Sequence, residues 1–152
     1  MNALSRGNAV ALTVPTLLMA GALGSQYVGG LYPCEMCHWQ RWPHYVAIGL
    51  ALVAFFLNPP ARNVMIALAG LAVLTSGAIG VFHAGVEYHW WEGLTTCSST
   101  AAGSSLQDLM RAPLIRCDTA QWTLGGISLA GFNAIFSIIG GVTILVFVRN
   151  VK

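Results

Sequence analysis

From Ala9 to Val28 the chain carries no charged side chain. Crossing the hydrocarbon core of a bilayer takes about 20 largely apolar residues in a helix, so this stretch alone points away from a water-soluble fold. Three more largely apolar stretches follow, over 40–57, where Arg41 is the one charged residue, 63–82 and 124–148. The composition agrees, with 56% hydrophobic and only 8% charged residues. Soluble domains carry roughly a quarter charged residues, and a water-facing surface cannot be built from so few. The net charge of +2 gives no reason to expect nucleic acid as a partner. The expected fold is all-α and integral to the membrane: a four-transmembrane-helix bundle, with residues 1–152 forming one membrane domain.

Details of the spans fit that reading. Gly21, Gly24, Gly70, Gly77, Gly80, Gly140 and Gly141 lie within them, and small residues let membrane helices approach closely. Trp39, Trp42, Trp90, Trp91 and Trp122 sit near span ends, where an aromatic belt forms. The second span opens with Trp42 and Pro43, and a proline is compatible with a helix's first turn. A cleaved signal peptide competes for the first span, since Arg6 precedes it and Ala20-Gly21-Ala22 resembles a cleavage site. The apolar run continues past Ala22 to Val28, which favours a retained span.

Between the spans lie a loop over 29–39, a helix stop and turn at Asn58-Pro59-Pro60, and a long loop over 83–123. Four spans put both termini and the Pro59-Pro60 turn on one side, and both longer loops on the other. Arg6, Arg62, Arg149 and Lys152 fall on the terminal side, against Arg41, Arg111 and Arg116 on the loop side. The positive-inside rule therefore places the termini in the cytoplasm by a narrow margin. All four cysteines then face outward, where a compartment such as the bacterial periplasm lets disulfides persist.

The chemistry centres on Pro33-Cys34-Glu35-Met36-Cys37-His38-Trp39-Gln40-Arg41-Trp42-Pro43. A C-x-x-C pair at a helix N-terminus is reactive because unpaired N–H groups and the helix dipole favour thiolate, the attacking species. With a helix starting near Glu35, Cys37 and Arg41 stand four apart on one face. Arg41 can hold Cys37 as thiolate and donate to a quinone carbonyl whose oxygen turns negative on reduction. Other readings compete. Cys34-x-x-Cys37-His38 also spells the c-type haem attachment signature, which would make this a membrane-anchored haem electron-transfer protein with His38 as iron ligand. That reading leaves Cys97, Cys117 and Arg41 without a role. A zinc site from four cysteines would favour closer pairs than Cys97 and Cys117; no metal is expected. Two inert disulfides are a third possibility, but a C-x-x-C ring is too small to staple a fold usefully.

Pro-Cys-x-x-Cys-x-x-x-Arg opening the second of four spans, followed by a distant cysteine pair in the second outer loop, resembles the disulfide-bond-formation protein B (DsbB) family. The resemblance covers nearly the whole chain and includes His83-Ala84-Gly85-Val86-Glu87 through Trp90-Trp91 ahead of Cys97. The compact loop between Cys97 and Cys117, and the presence of His38, depart from it. The resemblance implies a thiol:quinone oxidoreductase of the bacterial inner membrane that re-oxidises a periplasmic DsbA-like thiol oxidase. It implies that Cys97 of a Cys97–Cys117 disulfide is attacked by the partner's thiol, and that Cys34–Cys37 re-oxidises this pair, with Cys34 and Cys117 as bridging partners. It further implies that Cys37 faces the quinone, ubiquinone or menaquinone, with Arg41 beside it.

Weaker candidates complete the reading. Leu106, Leu109, Met110 and Leu114 recur at helical spacing between Ser104 and Arg116, as in a short helix on the membrane surface that would steer Cys117 toward Cys34. His83, Glu87 and His89, at the outer end of the third span, are interfacial polar residues or proton carriers to a reduced quinone. Trp39 and Trp42 are belt residues and candidate walls of a quinone pocket. His44 and Gln26 are expected to be helix-packing contacts.

Overall fold

The computed structural model describes residues 3–93 and 115–150. Within them lie four long helices: α1 (Ala3–Tyr27), α2 (Glu35–Ala54), α3 (Pro59–Glu87) and α4 (Leu129–Arg149). A minimal antiparallel hairpin, β1 (Thr123–Leu124) and β2 (Ile127–Ser128), precedes α4. The helices form a ring in chain order: α3 packs on α2 and α4, while α1 packs on α2 and α4. Three of them, α1, α3 and α4, are long and apolar enough to cross a membrane. In α2, Glu35, His38, Gln40, Arg41 and His44 dilute the apolar character. The exteriors are apolar, with Leu17, Phe56 and Ile139 exposed by 71%, 90% and 60%. Broad apolar exteriors of this kind belong against lipid, and this is a helical membrane protein.

Small residues draw the helices together. Ala47, Ala51 and Ala54 share one face of α2 and are fully buried with Ala11, Ile66, Val73 and Ile144. At Gly77 a β-carbon would stand 2.9 Å from Ile138 Cγ1, and at Gly80 it would stand 3.0 Å from the Ala134 backbone nitrogen. Only glycine permits α3 and α4 to pack this closely.

Several boundaries differ from the sequence reading, each for a local reason. The second helix begins at Glu35, ahead of the apolar span at residue 40 and where the Cys37–Arg41 face requires it, because Cys34 caps it. Pro43 consequently lies inside α2, not in its first turn. The third helix begins at Pro59, with Asn58 as cap residue and the prolines at its first positions. Asn58-Pro59-Pro60 therefore starts α3 as well as turning the chain, because a helix's first N–H groups need no internal acceptor. At its other end α3 continues to Glu87 and so carries His83 and Glu87 on the helix. The fourth helix starts at Leu129, since Gly125 and Gly126 take φ of +60° and +81° and close the hairpin, the conformation a two-residue type I′ turn requires. The expected surface helix between Ser104 and Arg116 falls mostly outside the described residues, as do Cys97 and Arg111.

Candidate functional site

The site lies at the end of the bundle where α2 begins and α3 ends. At the opposite end Arg62 Nε donates to the Ala54 carbonyl at 3.0 Å, and Gly7 packs by Phe147 and Ile66. The described chain ends, in α1 and α4, and the α2–α3 connection are therefore remote from Cys34, Cys37 and Cys117.

Cys34 is the cap residue of α2, with φ −78° and ψ 175°. Its sulfur accepts from the Cys37 backbone N–H at 3.3 Å, the contact that a serine or aspartate cap would make with oxygen. The Cys34 thiol donates to Cys37 Sγ at 2.9 Å, and both cysteines are free thiols. That hydrogen bond, reinforced by burial, pushes the Cys34 thiol well above its ordinary range. Cys37 is on the accepting side of that bond, and Arg41 stands one turn further along α2. The guanidinium is held by Gln26 Oε1 at 2.6 Å and the Ala22 carbonyl at 3.2 Å. Gln26 thus packs helix to helix as expected, and what it positions is Arg41.

His83 joins the second redox element to the first. Its Nε2 edge faces Cys34 Sγ at 3.5 Å and Glu87 Oε1 at 3.7 Å, and the main chain of Cys117 lies close to the ring. Cys117 is disulfide-bonded, whereas Cys34 and Cys37 are not; the remaining cysteine, Cys97, lies outside the described residues. Cys34, Met36, Val86 and Cys117 form one buried cluster. His83 Nδ1 meets the Gln40 amide at 2.7 Å, and Gln40 Oε1 accepts from Asn133 Nδ2 at 2.8 Å. Ser76, His44 and Ser137 extend this network into the bundle. Gln40 and Asn133 did not stand out in the sequence, although a polar side chain inside an apolar helix was the available signal.

A cleft of about 270 Å³ opens between α1, α2 and α4. Cys34, Cys37, Arg41, His83 and Glu87 all line it, together with apolar side chains such as Leu17 and Phe136. Trp39 and Trp42 do not: Trp39 packs against the cysteine cluster, and Trp42 is exposed, edge-on to Tyr45. The tryptophan that lines the cleft is Trp122. His38 is exposed, and the imidazole beside the sulfurs belongs to His83. This does not favour C-x-x-C-H haem ligation. Cys34, Cys37 and His83 place two sulfurs and an imidazole nitrogen within 4.8 Å of one another.

The outer segments are tied down around the site. Tyr32 and Gln121 exchange two hydrogen bonds, 3.1 Å from the Tyr32 N–H and 2.5 Å to its carbonyl. The Tyr88 hydroxyl donates to the Gly126 carbonyl and accepts from the Ser128 N–H, fixing the hairpin to α3. Trp91 folds back over Gly85, where a β-carbon would overlap its ring, and donates to the Phe82 carbonyl at 2.9 Å. At the rim, exposed Arg116 and Asp118 form a two-pronged ion pair that pulls the Asp118 carboxyl down to about 2.

A dithiol and a disulfide meeting at one end of an apolar helical bundle define a membrane thiol–disulfide protein. The chain belongs to the DsbB family: the family model described as disulfide bond formation protein DsbB matches residues 5–147. It is similar to a disulfide bond formation protein B of Verminephrobacter eiseniae, 29% identical over 89% of this chain and 81% of that one. A second protein of that description, from Alkalilimnicola ehrlichii, is 26% identical over 88% of this chain and 93% of its own. An uncharacterized protein of Rickettsia prowazekii, RP370, is 23% identical over 86% and 80%. No solved structure matches the chain. Family membership makes this an oxidoreductase of disulfide bond formation.

Proposed function

We propose that the protein is a thiol:quinone oxidoreductase that re-oxidises a periplasmic DsbA-like dithiol oxidase and delivers the electrons to a membrane quinone. In this reading residues 1–152 form one domain of the bacterial inner membrane, with α2 as a fourth span. The termini are cytoplasmic and the cysteines periplasmic. The observation that carries it is the meeting of the two cysteine elements. Cys34 and Cys37 line an apolar cleft beside Arg41, and Cys117 lies in the same buried cluster as Cys34.

The residues present suit a quinone headgroup. The cleft is close to the smallest sizes of small-molecule sites, about 300 Å³ and up. Its walls are apolar, and its polar groups converge at Cys37 and Arg41. A bound quinone supplies a two-electron, two-proton acceptor. On the protein side, a partner dithiol reduces Cys97–Cys117 by attack at Cys97 and leaves oxidised. The Cys117 thiolate then attacks Cys34 of a Cys34–Cys37 disulfide, and Cys37 departs as thiolate beside Arg41. Attack by Cys97 on Cys117 restores Cys97–Cys117 and frees Cys34. Oxidation of Cys34 and Cys37 to a disulfide then gives up two electrons and two protons and resets the site. Two pairs are needed because a soluble protein thiol and a lipid-soluble acceptor never share one surface.

The test is Cys34→Ser. Partner thiols should still exchange with Cys97–Cys117 in a single turnover, while quinone reduction stops. A Cys34→Ser protein that reduces quinone at the normal rate with partner thiols would refute the relay.

A further inference from the structure

Cys37, Gln40, Arg41 and His44 recur at the spacing of one helix face, and all four line the cleft. His44 is the innermost, about 10 Å beyond Cys37 at 1.5 Å per residue. It is 2% exposed. Its Nε2 stands 2.9 Å from Asn133 Oδ1 and 2.9 Å from Ser76 Oγ.

Counting donors fixes the tautomer. Asn133 Nδ2 donates to Gln40 Oε1, so Asn133 Oδ1 is an acceptor, and it also receives the Ser137 hydroxyl at 3.0 Å. The Ser76 hydroxyl donates to the Gln40 carbonyl at 2.8 Å, so its oxygen too is left to accept. Two acceptors facing Nε2 require the proton there. A neutral imidazole has only one proton, and Nδ1 is therefore a lone-pair acceptor. It is buried and has no hydrogen-bond partner among the described residues. A buried acceptor left unmet is costly, and the Nε2 edge is already committed to α3 and α4. What is missing is a donor, and the cleft that His44 lines is the side not filled by α3 and α4 partners.

We infer that His44 Nδ1 is the deep anchor of the acceptor cleft and accepts a hydrogen bond from the hydroxyl of a hydroquinone, the reduced form of the acceptor. The inference rests on the thiol:quinone reading. A quinone offers only carbonyl oxygens and would meet the Nδ1 lone pair unfavourably, whereas a hydroquinone brings an O–H. Oxidising the Cys34–Cys37 dithiol breaks two S–H bonds and makes one S–S bond; the two electrons and two protons reappear as the two hydroquinone O–H bonds. His44 thus favours the product side. A tenfold preference for the reduced headgroup would raise the potential of the bound acceptor by about 30 mV, the two-electron equivalent of a factor of ten.

The test is equilibrium binding of a short-chain benzoquinone to the oxidised protein, and of its hydroquinone to the reduced protein, read by tryptophan quenching. In neither mixture is there a net reaction to drive. His44→Gln places an amide nitrogen where Nε2 was, keeping the donor to Asn133 and Ser76 while moving the acceptor off the Nδ1 position. Hydroquinone affinity should fall about tenfold and quinone affinity change less than twofold. In the wild type, the unprotonated ¹⁵N resonance of His44 Nδ1 should shift with hydroquinone and not with quinone, a readout that needs no variant. Equal weakening of both ligands, no weakening of either, or an unmoved Nδ1 resonance would overturn the inference while leaving the function standing. Failure of the wild type to bind either ligand would overturn both.

Discussion

Nε2 of His83 lies 3.5 Å from Cys34 Sγ, and the main chain of Cys117 lies close to the same ring. One side chain from α3 therefore borders both redox elements, and its position follows from α3 continuing to Glu87. His83→Phe should keep the ring's bulk but leave one N–H of the buried Gln40 amide without its acceptor. Leaving a buried polar group unpaired costs about 1–3 kcal/mol, so unfolding in detergent should shift by that much. Exchange between Cys117 and Cys34 should slow in the same variant. Unchanged exchange with lowered stability would reduce His83 to a packing role.

Arg41 separates a quinone site from a bare dithiol. Arg41→Met removes the fixed cation beside Cys37 while retaining a long stem. Turnover with quinone and apparent quinone affinity should fall about tenfold, on the order of 1.4 kcal/mol. Lysine should restore part of the loss, since it carries the charge without the planar fork of donors. Single-turnover reaction of the partner with the Cys117 disulfide should change little. Quinone kinetics that ignore Arg41→Met would make Arg41 an interfacial anchor.

The rim pair gives a pH-dependent prediction. Arg116 holds the Asp118 carboxyl down at about 2, below its ordinary value. A depressed carboxyl contributes favourably above its unfolded pKa, and the contribution is lost as pH falls through the folded value. The Asp118 carboxyl resonance should therefore titrate near 2 in the wild type and return toward about 3.9 in Arg116→Ala. A midpoint that Arg116→Ala does not move would show that the pair is not formed in solution.

Orientation is open to direct chemical test. In reduced spheroplasts, a thiol reagent that cannot cross membranes should label Cys97 and Cys117 from outside. Labelling that appears only after lysis would place the cysteines in the cytoplasm and end the periplasmic relay.

The apolar runs of α1, α3 and α4 were plain in the sequence because lipid-facing helices need few polar residues. So was the C-x-x-C–Arg41 stripe, since spacing alone puts Cys37 and Arg41 on one face. The start of α2 did not coincide with its apolar span, because Cys34 acts as a sulfur cap and the first helical turn is polar for the sake of the site. The hairpin before α4 was masked by the apolar residues around Gly125-Gly126. The network of Gln40, Ser76, Asn133 and Ser137 was not legible either: it exists only once three helices meet, and each residue alone reads as an ordinary polar guest. Trp39 and Trp42 show the reverse, since being near the motif in sequence did not bring them to the cleft.

The two hydrogen bonds between Tyr32 and Gln121 have a kinetic meaning. Within one covalent chain they hold the segment entering Cys34 against the one leaving Cys117, so Cys34 and Cys117 meet at short range. Short tethers give effective concentrations of about a millimolar or more. A stray thiol present at micromolar levels would then lose the race to Cys34 by about a thousandfold. Cutting the clasp with Gln121→Ala would cost selectivity before it cost chemistry.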